Sequence, residues 1–176
     1  NGEHYDLDCI IFATGFEVGT SYTRRAGYDI VGKNDVTLSD KWADGLRTLH
    51  GMQTADFPNA FFMGFTQGAV TVNVPQTLNE QAVHISHVLR TTREQGATVV
   101  EATPQAEQEW VDEMHSKARF GEKFRAECTP GYYNNEGQAG NGNGFFSSSY
   151  GAGPVKFFQI LDDWRQSADL PGCEVR

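Results

Sequence analysis

The sequence predicts an α/β fold, on the basis of three features. Residues 7–13 are nearly all apolar and are followed by Thr14-Gly15, as expected of a parallel strand covered on both faces. Residues 60–64 form a second such run, which also ends at a glycine. Two stretches with helical periodicity, 75–95 and 103–125, then follow along the chain. Buried strands followed by helices are typical of α/β sheets.

The chain between the two apolar runs is predicted to consist of short extended pieces and turns. Residues 28–31 and 36–38 are expected to be extended around a turn at residues 32–35, and residues 56–59 form another turn. A buried strand needs neighbours on both sides. The run at residues 7–13, so close to a first residue that is not Met, therefore suggests a fragment of a larger sheet.

The first long helix has a predicted start, end and buried face. Pro75 suits the first turn of a helix, and Gly96 suits a left-handed cap at its end. The apolar residues of this helix fall on one stripe, which is predicted to face the core. The stripe consists of Leu78, Ala82, Ile85 and Leu89.

Two histidines on the same helix allow two interpretations. His84 and His87 are three residues apart, and Glu80 lies four residues before His84, a spacing that a metal ion could use. All three lie roughly opposite the apolar stripe. A solvated face, or a contact with another domain, is therefore the favoured interpretation, and we predict no metal site.

The second helix has clear local signals. Thr103 is a good N-cap, Pro104 suits the first helical position, and acidic residues follow in the first turn. Its apolar stripe consists of Ala106, Trp110, Met114 and Ala118.

The rest of the chain divides into a loop, a helix and a tail. Residues 129–153 are rich in Gly, Asn and Ser without periodicity, so they are predicted to form a long loop. Pro154 opens a last helix, and residues 168–176 are expected to fray. The inward residues of this helix are Phe157, Phe158, Leu161 and Trp164.

Composition excludes several classes of function. The net charge is −9, which argues against binding to nucleic acid or to anionic membranes. No apolar run is long enough to span a membrane. Cys9, Cys128 and Cys173 are far apart and odd in number, so a disulfide framework is not expected and a cytoplasmic location fits best. Cys9 is predicted to be buried and inert.

No catalytic constellation is visible in the sequence. The glycine pattern of a dinucleotide-binding turn, a phosphate-binding loop and a nucleophile elbow are all absent. The best candidates for a ligand site are two ends of predicted strands, Ala13-Thr14-Gly15-Phe16 and residues 65–68. Strand ends and helix N-termini bind ligands in open α/β sheets, and free backbone N–H groups there attract electron-rich atoms. An ordinary turn is the alternative.

Several passages resemble one protein family. Residues 8–16, with Asp8 followed by an apolar run and Ala13-Thr14-Gly15-Phe16, are similar to a signature of flavin monooxygenases. Other similar passages, spread in order over nearly the whole chain, are residues 38–52, 57–63, 128–137 and 153–158. The chain is identified as resembling the C-terminal part of a class B flavoprotein monooxygenase, most like a type I Baeyer–Villiger monooxygenase.

The resemblance implies a flavoprotein with two dinucleotide-binding domains, of which this chain is the C-terminal part. Residues 1–16 would then be a crossover strand from the NADPH domain, and residues 17–128 the C-terminal part of the FAD domain. Residues 129–153 would form a mobile active-site loop, and residues 154–176 a helix and tail. The chain would contribute a partial FAD-domain sheet, packed helices and a long Gly/Asn-rich loop.

The resemblance also implies the residues near the cofactor and the substrate. Backbone groups around the flavin would come from Thr14, Gly15, Phe65, Thr66, Gln67, Val72, Asn73 and Val74. The substrate pocket and the closing loop would use Val70, Thr71, Tyr132, Tyr133 and Asn134. Members of the family often have Trp where this chain has Tyr132. No catalytic residue can be carried over, because the family's catalytic arginine precedes the matched passages.

The implied function is oxygen insertion next to a ketone carbonyl, giving an ester or a lactone. FAD and NADPH would be required, and this segment would be inactive alone. Oxygenation of an amine or sulfide is one alternative, and a non-catalytic interaction domain derived from the family is another. The implied partners are a small ketone, O2 and the N-terminal part of the same enzyme. A homodimer could also form through exposed strands.

Overall fold

A computed structural model describes residues 2–13, 23, 26–117, 149–167 and 169–176. It confirms an α/β arrangement, in which helices pack around a small two-stranded antiparallel sheet. A 3₁₀ turn spans Lys33–Asp35. The remaining elements within these ranges are α1 (Leu38–Lys41), α2 (Val74–Glu94), β1 (Val100–Ala102), α3 (Pro104–Lys117), α4 (Pro154–Arg165) and β2 (Cys173–Val175).

Helix α2 begins and ends where the sequence predicted. The Asn73 side chain accepts a hydrogen bond from the backbone N–H of Gln76 at 3.3 Å and caps the first turn. Gly96, with a φ of +73°, follows the last turn. Pro75 occupies the first turn, where its missing N–H has no cost.

The predicted buried face of α2 is wrong. The side chains that the chain buries are Thr77, Gln81, His84, Val88 and Thr92. Leu89 is 44% exposed and Ala82 is exposed, although both belong to the predicted stripe. The buried face is rotated by roughly a quarter turn. Gln81 and Thr92 find hydrogen-bond partners on it, whereas the predicted stripe is only partly covered, with Ile85 packed against buried side chains and Leu78 half-buried.

The two predicted strands at residues 7–13 and 60–64 are also not formed. Ile11 is 85% exposed and Phe12 is 83% exposed, and Cys9, predicted to be buried, is exposed as well. An apolar strand requires neighbouring strands, and the described residues provide none beside residues 7–13. Residues 60–64 are irregular, and Phe62 packs against Trp42 instead of joining a sheet.

The pieces around the 3₁₀ turn are partly as predicted. Val31 and Thr37 form a single antiparallel bridge across it. Leu38, expected to be extended, instead begins helix α1, because the Thr37 hydroxyl accepts a hydrogen bond from the backbone N–H of Asp40 and caps that helix. The predicted turn at residues 56–59 is present.

The prediction that residues 168–176 fray is wrong. Residues 173–175 form β2, which pairs antiparallel with β1, with Val100 opposite Val175 and Ala102 opposite Cys173. Arg176 continues the ladder with backbone hydrogen bonds to Val99 in both directions. Its guanidinium also pairs with the buried carboxylate of Glu101 at 3.2 Å. These contacts hold the C-terminus against the body of the chain.

Helices α3 and α4 begin at the predicted residues. Pro104 opens α3, and the Thr103 hydroxyl accepts a hydrogen bond from the N–H of Ala106 at 3.1 Å. Pro154 opens α4, with Phe157 and Leu161 fully buried, while Phe158 and Trp164 are half-buried. The predicted extension of the second helix beyond residue 117 lies outside the described residues. The main core combines both helices with the preceding loops, and its buried members are Met52, Ala69, Trp110, Met114, Tyr150, Phe157 and Leu161.

Candidate functional site

The candidate site is the segment of residues 64–74 that leads into helix α2. It carries every described residue for which a cofactor or substrate contact was predicted. Gln67 is buried, and Phe65, Thr66, Val70 and Thr71 are half-buried. The last residues before the helix, Val72, Asn73 and Val74, are exposed. Thr14, Gly15, Tyr132, Tyr133 and Asn134 lie outside the described residues, so their predicted roles stay predictions.

Gln67 is held from three directions. Its side-chain NH2 donates to the carbonyl oxygen of Leu46 at 2.7 Å, and its Oε1 accepts from the Thr48 hydroxyl at 2.5 Å. Its backbone carbonyl accepts from the indole N–H of Trp110 at 3.1 Å. The residue has a φ of +44°, a left-handed conformation that is uncommon outside glycine. The side-chain amide of Gln67 is therefore hydrogen-bonded within the chain, where it stabilises the position of this segment.

Two further contacts fix the segment just before Gln67, at Gly64 and at Thr66. The Gln81 side chain pairs with the backbone of Gly64 in both directions, accepting at 2.9 Å and donating at 2.7 Å. Gly51 lies so close that a Cβ atom there would stand 2.2 Å from the carbonyl oxygen of Thr66. Any side chain at position 51 would push the candidate segment away, so the glycine allows the two loops to touch.

The last residues of the segment form the cap of α2. The Thr71 hydroxyl accepts a hydrogen bond from the N–H of Asn73 at 3.1 Å and donates to the Asn73 carbonyl at 2.6 Å. Val72 and Val74 leave apolar surface open, with Val74 38% exposed and Val72 as exposed as in an extended chain. The positive end of the helix dipole lies beside this apolar surface. The side chains of Thr71 and Asn73 are engaged locally, which leaves shape and apolar contact as the main properties of this end.

Residues 149 and 150 are attached to the same segment. Ser149 pairs with Gly68 in a parallel bridge, and the N–H of Tyr150 donates to the Gly68 carbonyl at 2.9 Å. The Tyr150 ring stacks on Trp110 with centroids 5.6 Å apart, and its hydroxyl donates to Glu113 at 2.6 Å. Burial, together with the hydrogen bond and charge of Glu113, raises the pKa of Tyr150 to about 12, so the phenol stays protonated and structural.

His84 is buried, contrary to the favoured interpretation of the sequence, whereas His87 and Glu80 are half-buried. His84 is only 2% exposed, and its ring lies 5.5 Å from that of His50 and 4.7 Å from Trp164. Burial lowers the pKa of His50 to about 4. Burial, with the nearby charges of His50, Arg165 and His87, lowers the pKa of His84 to about 2. Both imidazoles are therefore neutral at pH 7, and the Nδ1 atom of each has no hydrogen-bond partner among the described residues.

The described part of the chain offers no metal centre, and its Cys173 thiol is unreactive. Within it, no group of three or more His, Cys, Asp or Glu residues could hold a metal ion. Burial raises the pKa of Cys173 to about 12, which keeps that thiol protonated. No helix within the described ranges is long and apolar enough to cross a membrane. What the site offers is a rigid, capped turn with an apolar edge.

Sequence reasoning missed the residues that hold the segment in place. Thr48, Gln81 and Trp110 each bind its backbone or the side chain of Gln67, and none of them was predicted as part of the site. Thr48 lies within a passage that carries the family resemblance, which is the one signal that could have drawn attention to it. Trp110 is separated from Gln67 by 43 positions and was assigned only to the core.

Comparison with known proteins gives matches over the whole chain. No family model matches. The chain is 48% identical over 178 residues to pentalenolactone D synthase of Streptomyces exfoliatus, covering 100% of this chain and 30% of that protein. It is 41% identical over 165 residues to a Baeyer–Villiger monooxygenase of Streptomyces coelicolor, covering 93% of this chain and 27% of the relative. This chain thus spans less than a third of the length of either relative.

A solved structure shows the same fold. An oxidized steroid monooxygenase bound to NADP superimposes with a TM-score of 0.73 at 27% identity. The match covers 99% of this chain and 31% of the steroid monooxygenase. The similarity in sequence and the similarity in fold therefore extend over the same residues.

Proposed function

We propose that this chain, which is homologous along its whole length to Baeyer–Villiger monooxygenases, is the C-terminal segment of a larger FAD- and NADPH-dependent enzyme. That enzyme inserts one oxygen atom from O2 next to a ketone carbonyl and releases an ester or a lactone. The observation that carries the proposal is the 48% identity over 100% of the chain, which leaves no part of it to a different family. The segment alone is inactive.

In this proposal the candidate segment forms one wall of the flavin site. Val72 and Val74 present exposed apolar surface that a planar ring can cover, and the neighbouring helix N-terminus suits an electronegative ring edge. The side chains of Gln67 and Thr71 are already hydrogen-bonded, so backbone atoms and apolar side chains make the contacts. The residues present therefore fit the isoalloxazine group.

The chemistry of oxygen activation belongs to FAD when it is bound. This chain positions the cofactor and the substrate and excludes water from them. Val70 and Thr71 shape the substrate wall, while Phe65, Thr66, Asn73 and the distant Thr14 and Gly15 surround the cofactor. Tyr132, Tyr133 and Asn134 cover the nicotinamide and the ketone and exclude water from them. No residue of this chain is proposed as an acid, a base or a nucleophile.

Full-length protein with an exposed valine changed to a bulky ring tests the assignment. Val72→Trp should fill the space that the flavin and ketone need, while Val155→Trp places the same ring on the exposed side of α4, where the valine is 81% exposed. We expect the unchanged protein to bind flavin and to oxidise NADPH in a ketone-dependent way, with a product one oxygen atom heavier than the ketone. Val72→Trp should lose at least about tenfold in kcat/KM while Val155→Trp stays unchanged.

Two outcomes would overturn the proposal. Oxygenation of amines or sulfides with no activity on any ketone would favour the alternative class of flavin monooxygenase. A folded full-length protein without bound flavin would favour a non-catalytic interaction domain. Equal losses in the two Trp variants would instead remove residues 70–74 from the site.

We further propose that the isolated chain self-associates through its exposed apolar residues and that the protein is cytoplasmic. Leu7, Ile10, Ile11 and Phe12 are each at least 64% exposed, and such surfaces drive association. Cys9 and Cys173 are free thiols, as expected in a reducing compartment. Light scattering over a range of concentrations tests the first point, and a monomer at all concentrations would refute it.

A further inference from the structure

Trp110 combines complete burial with a polar contact to the candidate segment. The residue is 5% exposed, and its indole N–H donates to the carbonyl oxygen of Gln67 at 3.1 Å. This is a contact to backbone, so it acts on the path of the chain at residues 67 and 68. Among the described residues, the other hydrogen bonds of Gln67, with Leu46 and Thr48, hold only its side chain.

The conformation at Gln67 needs such a restraint. A φ of +44° is unfavourable for a residue with a Cβ, and positions of this kind persist only when their surroundings hold them. With the indole N–H removed, the peptide that joins Gln67 to Gly68 loses the donor that fixes its carbonyl direction. A rotation of this peptide changes the direction in which the following residues leave the turn.

The indole is itself held in a fixed orientation. Its ring lies 4.9 Å from that of His50 at nearly a right angle, stacks on Tyr150 and meets Phe157 at 5.9 Å. Contacts with three aromatic rings, together with burial, restrict the orientation of the indole. The N–H therefore points to the Gln67 carbonyl as a rigid donor from helix α3.

We propose that Trp110 is a positioning residue: through the Gln67 carbonyl it sets the placement of residues 65–74 against the flavin and the ketone. This inference rests on the proposed function, and it extends that function to a residue on a helix that does not itself contribute to the candidate segment. Trp110 acts by keeping the wall of the site at a fixed distance, since small misplacements in a reacting site reduce the rate strongly.

The test compares Trp110→Phe with Trp164→Phe in the full-length, flavin-loaded enzyme. Trp164 is a matched control because its indole N–H also donates to a backbone carbonyl, that of Pro171, at 2.9 Å. Both variants keep an aromatic ring and lose one N–H donor. The readouts are the melting temperature, the visible circular dichroism of the bound flavin, kcat and KM for the ketone, and the hydrogen peroxide released per NADPH oxidised.

For Trp110→Phe we expect kcat to fall by about tenfold or more, with KM changed by less than about twofold. The flavin circular dichroism should change, and a larger share of NADPH oxidation should yield hydrogen peroxide. Trp164→Phe should match the unchanged enzyme in all of these. Equal behaviour of the two variants, or a lower melting temperature without spectral and coupling changes, would overturn the inference.

A second variant covers the case in which Trp110→Phe does not fold. Thr48→Val keeps the side-chain shape and removes the hydroxyl that donates to Gln67 Oε1. The same hydroxyl accepts from the N–H of Gly51, which lies against the Thr66 carbonyl, so its loss also reaches the backbone of the segment. It should change the flavin spectrum and coupling in the same direction, and an unchanged spectrum would count against a positioning role for this network. If the unchanged enzyme binds no flavin, the proposed function fails. If the unchanged enzyme is active but Trp110→Phe and Thr48→Val give the same results as Trp164→Phe, the proposed function stands and only the positioning role fails.

Discussion

Two regions of this chain invert the usual relation between polarity and burial. At residues 7–13, apolar side chains are exposed, with Phe12 at 83%. Around α3 the opposite holds, because the carboxylate of Glu107 is 1% exposed and His84 on α2 is 2% exposed. The first region is left uncovered by the part of the chain that the structure describes, whereas the second has its polar groups bonded or packed internally. Burial in a segment thus depends on which partners the segment contains, and not on hydrophobicity alone.

The largest expected effect tests the polar side of this comparison. Glu107 accepts hydrogen bonds from the Thr54 hydroxyl at 2.6 Å and pairs with Lys41 at 3.1 Å. Glu107→Ala leaves the mostly buried Lys41 ammonium with only a longer contact to Asp56, so we expect a loss of about 3–5 kcal/mol in the free energy of unfolding. Urea unfolding measures this loss.

Glu109→Ala is the matched control for that substitution. Glu109 lies on the same helix, is exposed, and bonds only to the side chain of Gln105. Its removal should cost less than about 0.5 kcal/mol. If the two variants were equally stable, the buried carboxylate would contribute nothing beyond a surface charge, and the polar core would not hold the chain together.

A smaller effect is expected from one buried histidine, His50, as the pH falls. His50 has its pKa lowered from 6.5 to about 4 by burial, and His84 from 6.5 to about 2. Below pH 6.5 the unfolded chain takes up protons that the folded chain refuses, so stability falls with decreasing pH. The slope is about 1.4 kcal/mol per pH unit for each histidine, which makes His50 responsible for on the order of 3 kcal/mol near its folded pKa.

The pH dependence is checked with a pair of identical substitutions. His50→Asn suits the left-handed φ of +54° at that position and removes the titrating ring, so the slope below pH 6.5 should decrease by about one proton. His115→Asn, at an exposed position of α3, should leave the slope unchanged. An unchanged slope in His50→Asn would mean that His50 is protonated in the folded chain.

Local signals were sufficient for the helices, because caps act over a few residues. Thr103 and Pro104 fixed the start of α3, and Pro154 fixed that of α4. The pairing of β1 with β2 could not be predicted from the sequence, because a three-residue strand is too short to show a pattern of alternation and its partner is distant in sequence. Short strands of this kind are defined by what they pair with.

The candidate site was predictable only in part, for a related reason. Residues 65–68 could be selected because a turn before a helix N-terminus is a local feature, whereas residues 70–74 were selected only through the family resemblance. That Gln67 is bound by Thr48 and Trp110 depends on the tertiary fold, so no spacing in the sequence indicated it. The apolar stripe of α2 was misjudged because the sequence pattern records burial in the complete enzyme that we propose, while the chain alone buries Gln81 and His84.

The smallest effect is the sharpest test of the apolar side of the comparison. Phe12→Ala in the isolated chain should change the free energy of unfolding by less than about 0.5 kcal/mol, because the ring is already in water. In the larger protein that we propose, where neighbouring strands cover residues 7–13, the same change should cost about 3–5 kcal/mol. Phe157→Ala, at a fully buried position, should cost a similar 3–5 kcal/mol or so in both contexts. Denaturant unfolding of both variants, each in the isolated chain and in the larger protein, measures these losses.

A large loss for Phe12→Ala in the isolated chain would show that residues 7–13 already pack there. No loss in the larger protein would show that nothing covers this segment.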